Sequence, residues 1–404
     1  MKYWILLTDG AGDEKIESLG NKTPLEVAEM KNINGLARRG TVGMVRTIPH
    51  GIAPGSDAAN LSVMGYDPRK YHTGRSPLEA ASIGVDLADT DVAFRCNLVT
   101  LAGDGSYEDL TVADHSSGEI TTEEADVLIK DIQKAFGSSR INFYTGTSYR
   151  HAMIVNDGET HYDLTPPHDI LDRRVGDYLP KGQGVDFIYN MMKESYNILK
   201  DHPINIRRRE KGLNPANSIW IWGQGKKPAL TSFFEKYGVK GTAISAVDLI
   251  KGIGICAGLD TVDVPGATGT INTNYEGKAR ATIEEFKRGQ DFVYLHMEGP
   301  DECSHQGDLA GKIKCLEIID REIAGPVIEY LEGTGEDYKI LVLPDHQTPM
   351  HIRTHSPDPV PFVLFDSRDI KADDGLKQYG ETAASSGPFF ENGYQLADYF
   401  FIGQ

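Results

Sequence analysis

The stretch that decides the fold is residues 3–10, which read YWILLTDG. Its apolar run ends at Thr8-Asp9-Gly10, a pattern typical of a buried parallel strand whose carboxyl end opens onto a loop. Further apolar runs lie at 42–48, 218–222, 292–295, 340–343 and 360–365, and segments with helical spacing, such as 24–40 and 313–331, lie between them. This alternation predicts an α/β fold with a mostly parallel sheet flanked by helices.

The chain is long enough for two domains, because its 404 residues exceed what one ordinary hydrophobic core supports. Residues 89–212 are more polar than the rest and mix strand-like with helical pieces. We therefore predict a core domain formed by 1–88 and 213–404, interrupted by an inserted α+β domain at 89–212.

Composition excludes several classes of protein. The formal net charge of −18 disfavours binding to a nucleic-acid backbone, although a local cluster of cations or metal ions still permits a small anionic substrate. The four cysteines are scattered, which is typical of a reducing compartment. No apolar run approaches membrane-spanning length, and the run near the N-terminus is too short for a signal peptide. These features predict a soluble, cytoplasmic protein without a membrane partner.

Metal-type ligands follow several of the apolar runs. In parallel α/β sheets, ligands collect at the carboxyl ends of strands. Any one of these residues could instead be a turn, capping or surface residue, but three carboxylates and three imidazoles in such positions favour a metal centre. The residues are Asp9, Asp301, His305, Asp345, His346 and His355.

The number of candidate ligands indicates two ions. A single catalytic zinc-like ion uses three or four protein ligands, and six are present. Two ions about 3.5–4 Å apart would use all of them, and such a pair stabilises the attacking and leaving oxygens in phosphoryl transfer. Asp301 and His305 are four residues apart, so a helix would present both on one face.

Ser56 is the candidate nucleophile. It follows Pro54-Gly55 and precedes a helix-compatible run, which places it at a helix N-terminus. The free N–H groups and the dipole there favour an alkoxide and a phosphoryl oxygen. Serine is also a common N-cap, so a purely structural role is the alternative.

Taken in order, these motifs resemble those of the cofactor-independent (2,3-bisphosphoglycerate-independent) phosphoglycerate mutases of the alkaline phosphatase superfamily, and most of all the archaeal-type branch. The matching stretches are TDG at 8–10, GSD at 55–57, GPD at 299–301 with His305, PDH at 344–346 and TH at 354–355. Further matches at 65–68, 73–79, 94–97 and 266–269 extend the resemblance over nearly the whole chain.

The resemblance implies an alkaline-phosphatase-like core that binds two metal ions, and an inserted domain that binds and caps the substrate. It also implies two sets of ligands, Asp301, His305 and His355 for one ion, and Asp9, Ser56, Asp345 and His346 for the other. Manganese is the usual ion of the family, with zinc or magnesium as alternatives.

The implied activity is the isomerisation of 3-phosphoglycerate to 2-phosphoglycerate in glycolysis and gluconeogenesis, through a phosphoserine at Ser56. The substrate is a small phosphorylated carboxylate, which calls for cationic side chains. Asp57, beside the nucleophile, either contacts substrate or only caps its helix. The candidate substrate-binding residues are Asp57, Arg95, Arg150, His151 and His168.

Two departures from the archaeal-type pattern bear on the acceptor. Residues 221–225 read IWGQG where that branch has an Arg-Gly pair, and Glu298 replaces a lysine. The Trp-Gly-Gln-Gly version resembles a bacterial branch proposed to act as homoserine kinase, and an acidic residue such as Glu298 would suit the cationic amine of that substrate. The alternative function is therefore phosphoryl transfer to an amino-acid hydroxyl in threonine biosynthesis. A phosphatase or phosphodiesterase is a further possibility, and a P-loop kinase is disfavoured because its motif is absent from the sequence.

Overall fold

The computed structural model of the protein describes residues 1–373, 375 and 377–403. Its strands are β1 (Lys2–Thr8), β2 (Thr41–Val45), β3 (Val92–Ala102), β4 (Thr111–Asp114), β5 (Ile141–Tyr144), β6 (Arg150–Val155), β7 (Ser218–Lys226), β8 (Gly241–Ile244), β9 (Asp260–Val262), β10 (Phe292–Met297), β11 (Tyr338–Leu343), β12 (Val360–Asp366) and β13 (Phe389–Phe390).

The α-helices are α1 (Pro24–Val27), α2 (Lys31–Arg39), α3 (Ser56–Val63), α4 (Pro68–Tyr71), α5 (Ser76–Ser82), α6 (Thr122–Phe136), α7 (Asp186–Leu199), α8 (Pro203–Glu210), α9 (Phe233–Tyr237), α10 (Asp248–Cys256), α11 (Tyr275–Arg288), α12 (Gly299–Gln306), α13 (Leu309–Ile319), α14 (Gly325–Thr334), α15 (Glu381–Ala384) and α16 (Gly393–Ile402). A π-helical segment, Asp320–Ala324, joins α13 to α14. Short 3-10 turns lie at Glu17–Leu19, Tyr107–Asp109, Pro167–Ile170 and Val175–Tyr178.

The first of two compact units comprises Met1–His72 and Ala229–Gln404. Its sheet has the strand order β13-β2-β12-β11-β1-β10-β8-β9. All neighbouring strands are parallel except β12, which runs antiparallel to both β11 and β2. Strand β1 is central and almost entirely buried, as expected for a parallel strand covered by helices on both faces. The predicted α/β class is confirmed.

This topology brings several loops to one edge of the sheet. Strands β1, β10, β11 and β8 are parallel, so their carboxyl ends lie side by side. Val360, the first residue of β12, pairs with Val45, the last residue of β2, so both ends reach the same edge. The segments after β1, β2, β10 and β11, together with the segment before β12, therefore meet where the candidate ligands lie.

The second unit, Thr73–Pro228, is built on a separate antiparallel sheet. Strand β3 is its centre and pairs with β4, β6 and β7, while β5 pairs with β6. The unit begins before residue 89 and ends after residue 212, the limits expected from the sequence. Strand β7 accounts for the difference at the C-terminal side, because its apolar run pairs with β3 rather than with the parallel sheet.

The helix expected over 24–40 is divided in two. Thr23 caps α1 through a reciprocal capping box with Glu26, and Ala28 then adopts an extended conformation before α2 begins. None of the helices in the described part of the chain combines the length and the apolar character that crossing a bilayer requires.

Candidate functional site

A first group of ligand-type atoms lies at the ends of β1 and β11. Asp9 follows β1, and Asp345 and His346 follow β11 in the neighbouring position of the sheet. All three are buried, and one ligand atom of each lies within 4.8 Å of the others. His346 Nε2 is 3.5 Å from Asp9 Oδ1 and 3.5 Å from Asp345 Oδ2. We call this group the inner group.

A second group, the outer group, is centred on Asp301. Asp301, His346 and His355 also place one ligand atom each within 4.8 Å of one another, so His346 faces both groups. Asp301 and His305 stand one turn apart on α12, and His305 Nε2 is 3.1 Å from Asp301 Oδ2. His305 Nε2 is also 3.1 Å from His355 Nε2. All six ligand-type residues predicted from the sequence therefore lie together at this edge.

Hydrogen bonds orient the imidazoles of the outer group. His305 Nδ1 donates to the carbonyl oxygen of Arg353 at 2.9 Å, which turns the opposite ring nitrogen, Nε2, toward Asp301. The hydroxyl of Thr348 donates to Asp301 Oδ1 at 2.5 Å. Thr348 Oγ1 can then accept from His346 Nδ1, 3.2 Å away, and in that arrangement the Nε2 of His346 keeps its lone pair.

Ser56 is the first residue of α3, and Gly55 occupies the N-cap position. The alternative that Ser56 is only the N-cap therefore does not describe this helix. Its Oγ lies 3.1 Å from His346 Nε2, at the side of the inner group. The N–H groups of the first turn point toward the same region, so the position favours negative charge on an attacking oxygen.

The electrostatics of the two groups fit divalent cations. Burial, together with the charges of Asp345 and Asp301, raises the pKa of Asp9. Burial would also raise the pKa of Asp301, but hydrogen bonds from His305 and His355 lower it. Asp9 Oδ1 is buried and accepts no hydrogen bond from any residue that the structure describes. A bound cation would supply the partner that this oxygen lacks, and carboxylate with imidazole suits manganese or zinc.

Asn60 and Tyr294 hold the inner group and were not predicted from the sequence. Asn60, one turn after Ser56 on α3, donates through Nδ2 to Asp345 Oδ2 at 2.9 Å and to the Ser56 carbonyl at 2.8 Å. The Tyr294 hydroxyl donates to Asn60 Oδ1 at 2.5 Å. These bonds fix α3, and hence Ser56, against the loop after β11.

Asp57 is buried and bonded on both oxygens. Oδ1 accepts from the N–H of Ala58 at 3.0 Å, and Oδ2 lies 2.8 Å from His72 Nε2. His72, a residue that the sequence did not single out, therefore stands beside the start of α3 with about a third of its side chain exposed. This geometry places Asp57 as a support for His72 as well as for its own helix.

Lys312 ties the loops of the site together. Its side chain is fully buried and its Nζ donates to Asp13 Oδ2 at 2.7 Å, to the Gly12 carbonyl at 3.3 Å and to the Thr348 carbonyl at 3.1 Å. The loop after β1 and the loop after β11 thus share one ammonium group. Burial lowers the pKa of Lys312, and the charge of Asp13 opposes that shift.

Replacing Lys312 with methionine is expected to lower the free energy of unfolding of the first unit by about 3–5 kcal/mol, because Asp13 would remain buried without its ion pair. The measurement is urea unfolding followed by circular dichroism. Lys287→Met is the matched control, since Lys287 pairs with Glu284 on the surface of the same unit, and it should leave the midpoint unchanged. Equal midpoints for the two variants would contradict the structural role of the buried pair.

The second unit carries its own cluster of cationic and aromatic side chains. The Arg95 guanidinium lies over the Trp222 ring at 4.7 Å and is also held by the carboxylate of Glu79. His168 meets the same Trp222 edge-on, with ring centroids 5.2 Å apart, and His115 lies 6.1 Å from His168. Burial lowers the pKa of His168, and the neighbouring cations lower it further. The cluster therefore gathers arginine and imidazole side chains around Trp222, and Glu79 offsets the charge of Arg95.

The side chains of Arg150 and His151, which are adjacent in β6, face opposite sides of the sheet. Arg150 pairs with Asn97, whose Oδ1 accepts from Trp222 Nε1, and Arg150 also lies over the Tyr149 ring. His151 is the next residue along the strand, so its side chain faces the side opposite to that of Arg150. It is buried there, its pKa is lowered to about 3 by burial, and its Nδ1 accepts from a backbone N–H. The strand parity thus separates His151 from the cluster.

Comparison with known proteins identifies the family. The chain is 46% identical over 96% of both chains to the 2,3-bisphosphoglycerate-independent phosphoglycerate mutase of Methanosarcina acetivorans. It belongs to that family. A relative in Geobacter sulfurreducens, named "Probable 2,3-bisphosphoglycerate-independent phosphoglycerate mutase", is 48% identical over 98% of this chain and 99% of its own length. The resemblance inferred from the motifs is confirmed.

Two further comparisons agree with this phosphoglycerate mutase family. The family model described as 2,3-bisphosphoglycerate-independent phosphoglycerate mutase matches residues 37–205. The solved cofactor-independent phosphoglycerate mutase of Thermoplasma acidophilum is 26% identical, with a TM-score of 0.67 over 100% of both chains. The chain is thus an enzyme of a family whose fold and motifs were both recognisable in its sequence.

Proposed function

We propose that the enzyme interconverts 3-phosphoglycerate and 2-phosphoglycerate through a phosphoserine at Ser56, as a cytoplasmic step of glycolysis and gluconeogenesis. The observation that carries this proposal is the position of Ser56 Oγ. It lies at the start of α3 and 3.1 Å from His346 Nε2, the one imidazole that faces both ligand groups. A hydroxyl in this place can attack a phosphorus atom that is held at the same edge of the sheet.

Two divalent ions would complete the centre, with Asp9, Ser56, Asp345 and His346 for one and Asp301, His305 and His355 for the other. Such ions lower the pKa of a bound hydroxyl and neutralise charge on the transferring phosphoryl oxygens. Manganese is the proposed ion, because the donor set of carboxylates and imidazoles suits it, and zinc and magnesium are the alternatives to be compared.

The chain's own groups then account for two successive transfers. The bond from phosphorus to the 3-oxygen of the glycerate breaks as the bond to Ser56 Oγ forms, and the proton lost by the serine hydroxyl is balanced by the proton that the released 3-oxygen takes up. The glycerate turns within the site, and its 2-hydroxyl gives up its proton and bonds to phosphorus as the bond from phosphorus to Ser56 Oγ breaks and the serine oxygen regains a proton. The start of α3 stabilises negative charge on the phosphoryl oxygens throughout. Water must be excluded during the turn, because it would hydrolyse the phosphoserine.

We also propose that the second unit contributes substrate-binding groups. An anionic substrate needs cationic partners, and the chain as a whole has a net charge of −18. Arg95 and His168 lie against Trp222, and Arg150 lies beside Asn97, which bonds Trp222, so we keep these three as the proposed contacts. His151 is left out of the set because its side chain is buried on the other face of the sheet.

Replacing His168 with alanine is expected to raise the KM for 3-phosphoglycerate about 10-fold, because a hydrogen bond to a charged group is lost. The turnover number should change little, since this proposal gives His168 a role in binding and none in the transfer of the phosphoryl group. His161→Ala is the matched control, because His161 is an exposed histidine of the same unit that bonds a carbonyl outside the cluster. An unchanged KM in the His168 variant would contradict its role.

The proposal as a whole is tested by phosphorus NMR on manganese-loaded protein with 3-phosphoglycerate and no nucleotide. Appearance of 2-phosphoglycerate is the expected result. Absence of isomerisation with both ions bound would overturn the proposal. It would favour transfer to an amino-acid hydroxyl. For such a substrate, Glu298 offers a carboxylate near Asp301, and burial raises the pKa of Glu298 to about 7. Homoserine with candidate phosphoryl donors is then the next assay.

A further inference from the structure

We infer that His296, together with Ser245, is a positioning pair that orients Asp9 so that one carboxylate oxygen is reserved for an ion. This inference rests on the proposed ligand set. It adds two residues that are not ligands themselves and that act through Asp9. His296 is fully buried near the end of β10, directly after the apolar run at 292–295.

The strand order places the three residues side by side. Strand β10 lies between β1 and β8, and all three are parallel. Asp9 follows β1 and Ser245 follows β8, so His296 in the middle strand can reach both. His296 Nε2 is 2.9 Å from Asp9 Oδ2, and Nδ1 is 3.2 Å from the Ser245 hydroxyl oxygen. The imidazole therefore spans the carboxyl ends of three strands.

The proton positions follow from what each group can do. An ionised Asp9 only accepts hydrogen bonds, so His296 Nε2 carries a proton and donates it. The ring is fully buried, and burial disfavours a charged imidazole, so the ring carries this one proton only and Nδ1 is left as an acceptor. Nδ1 thus accepts from the Ser245 hydroxyl, and Ser245 Oγ accepts in turn from the N–H of Val247 at 2.9 Å.

This chain of bonds has a consequence for Asp9. Oδ2 is engaged by His296, while Oδ1 is the buried oxygen that accepts no hydrogen bond from the described residues and lies 3.5 Å from His346 Nε2. The carboxylate cannot rotate without breaking the bond to His296. His296 therefore fixes which oxygen faces the inner group, as outer partners of ligands commonly do in metal sites.

Titration of Mn²⁺ into the purified full chain without substrate, with free Mn²⁺ read by electron paramagnetic resonance, tests the pair. His296→Asn retains an amide near Ser245 but cannot reach Asp9, and we expect about 10- to 100-fold weaker binding of one ion only. His296→Gln places a donor near the Nε2 position, and we expect it to restore binding to near the wild-type affinity. Ser245→Ala should weaken the same ion by a smaller factor.

Selectivity for one ion separates positioning from general support of the fold. Wild-type affinities for both ions in His296→Asn would overturn the inference, and so would equal weakening of both. If His296→Asn does not fold, unchanged binding in Ser245→Ala would overturn it as well. Wild-type protein that binds fewer than two ions would contradict the ligand set, and with it this inference. Two ions without isomerisation would contradict only the proposed reaction.

Discussion

Replacing Ser56 with alanine is expected to reduce the rate of isomerisation by about 10⁴-fold or more, because the oxygen that carries the phosphoryl group between the two positions is removed. Among the described residues, Ser56 supplies the hydroxyl that lies within hydrogen-bonding distance of His346 Nε2. Both ions should still bind, since Asp9, Asp345 and His346 remain. The measurement is phosphorus NMR with 3-phosphoglycerate at matched protein concentrations.

The matched control is Ser62→Ala in the same helix. Ser62 is buried in α3, and its hydroxyl has no hydrogen-bond partner in the described part of the chain, so its loss should leave the activity unchanged. A phosphoryl adduct on the peptide that contains Ser56, detected by mass spectrometry after quenching, is expected for wild type alone. Activity in the Ser56 variant within tenfold of wild type would sink the proposed nucleophile.

Removal of the metal ions is expected to abolish isomerisation and to lower thermal stability. Asp9, Asp301 and Asp345 lie close together in a buried place, so without cations their charges repel and the pKa of Asp9 is raised. An ion that binds only the folded chain stabilises it by about 2.7 kcal/mol when present at 100 times its dissociation constant. The apo protein should therefore melt at a lower temperature.

The measurement is isomerase activity and thermal melting after dialysis against a chelator, then after addition of Mn²⁺, Zn²⁺ or Mg²⁺. The ion that restores most activity at equal occupancy identifies the effective metal. Asp301→Asn serves as a comparison, because it should lose part of the stabilisation while the inner group stays intact. Full activity after verified removal of the ions would contradict the two-metal proposal.

Much of the fold was predictable because buried parallel strands leave a strong local signal. The runs at 3–7, 292–295 and 340–343 became β1, β10 and β11, and the order of the motifs indicated the family. The run at 218–222 was assigned to the core, yet it pairs with β3. An apolar strand looks the same in either sheet, so its partner depends on long-range packing that no local pattern records.

The candidate site divides in the same way. Ligand types at strand ends were visible in the sequence, whereas His296, Asn60 and Thr348 act through bonds to residues distant in the chain. The alternation of side chains along a strand explains why His151 is left out of the proposed substrate contacts. Its neighbour Arg150 is similar in sequence context, but adjacent residues of a strand face opposite sides, and the sequence did not reveal which side holds the cluster.

Because β12 runs antiparallel to β11, three residues of the candidate site come from one short segment of the chain. Residues 344–359 leave the sheet after β11 and re-enter it at the same edge. A parallel β12 would require a crossover to the opposite edge, which would carry His355 away from His346. As it is, Asp345, His346 and His355 come together when one antiparallel pair closes, at a modest cost in loop entropy. The same return also carries Thr348 and the Arg353 carbonyl, so its length fixes the bonds that orient Asp301, His346 and His305.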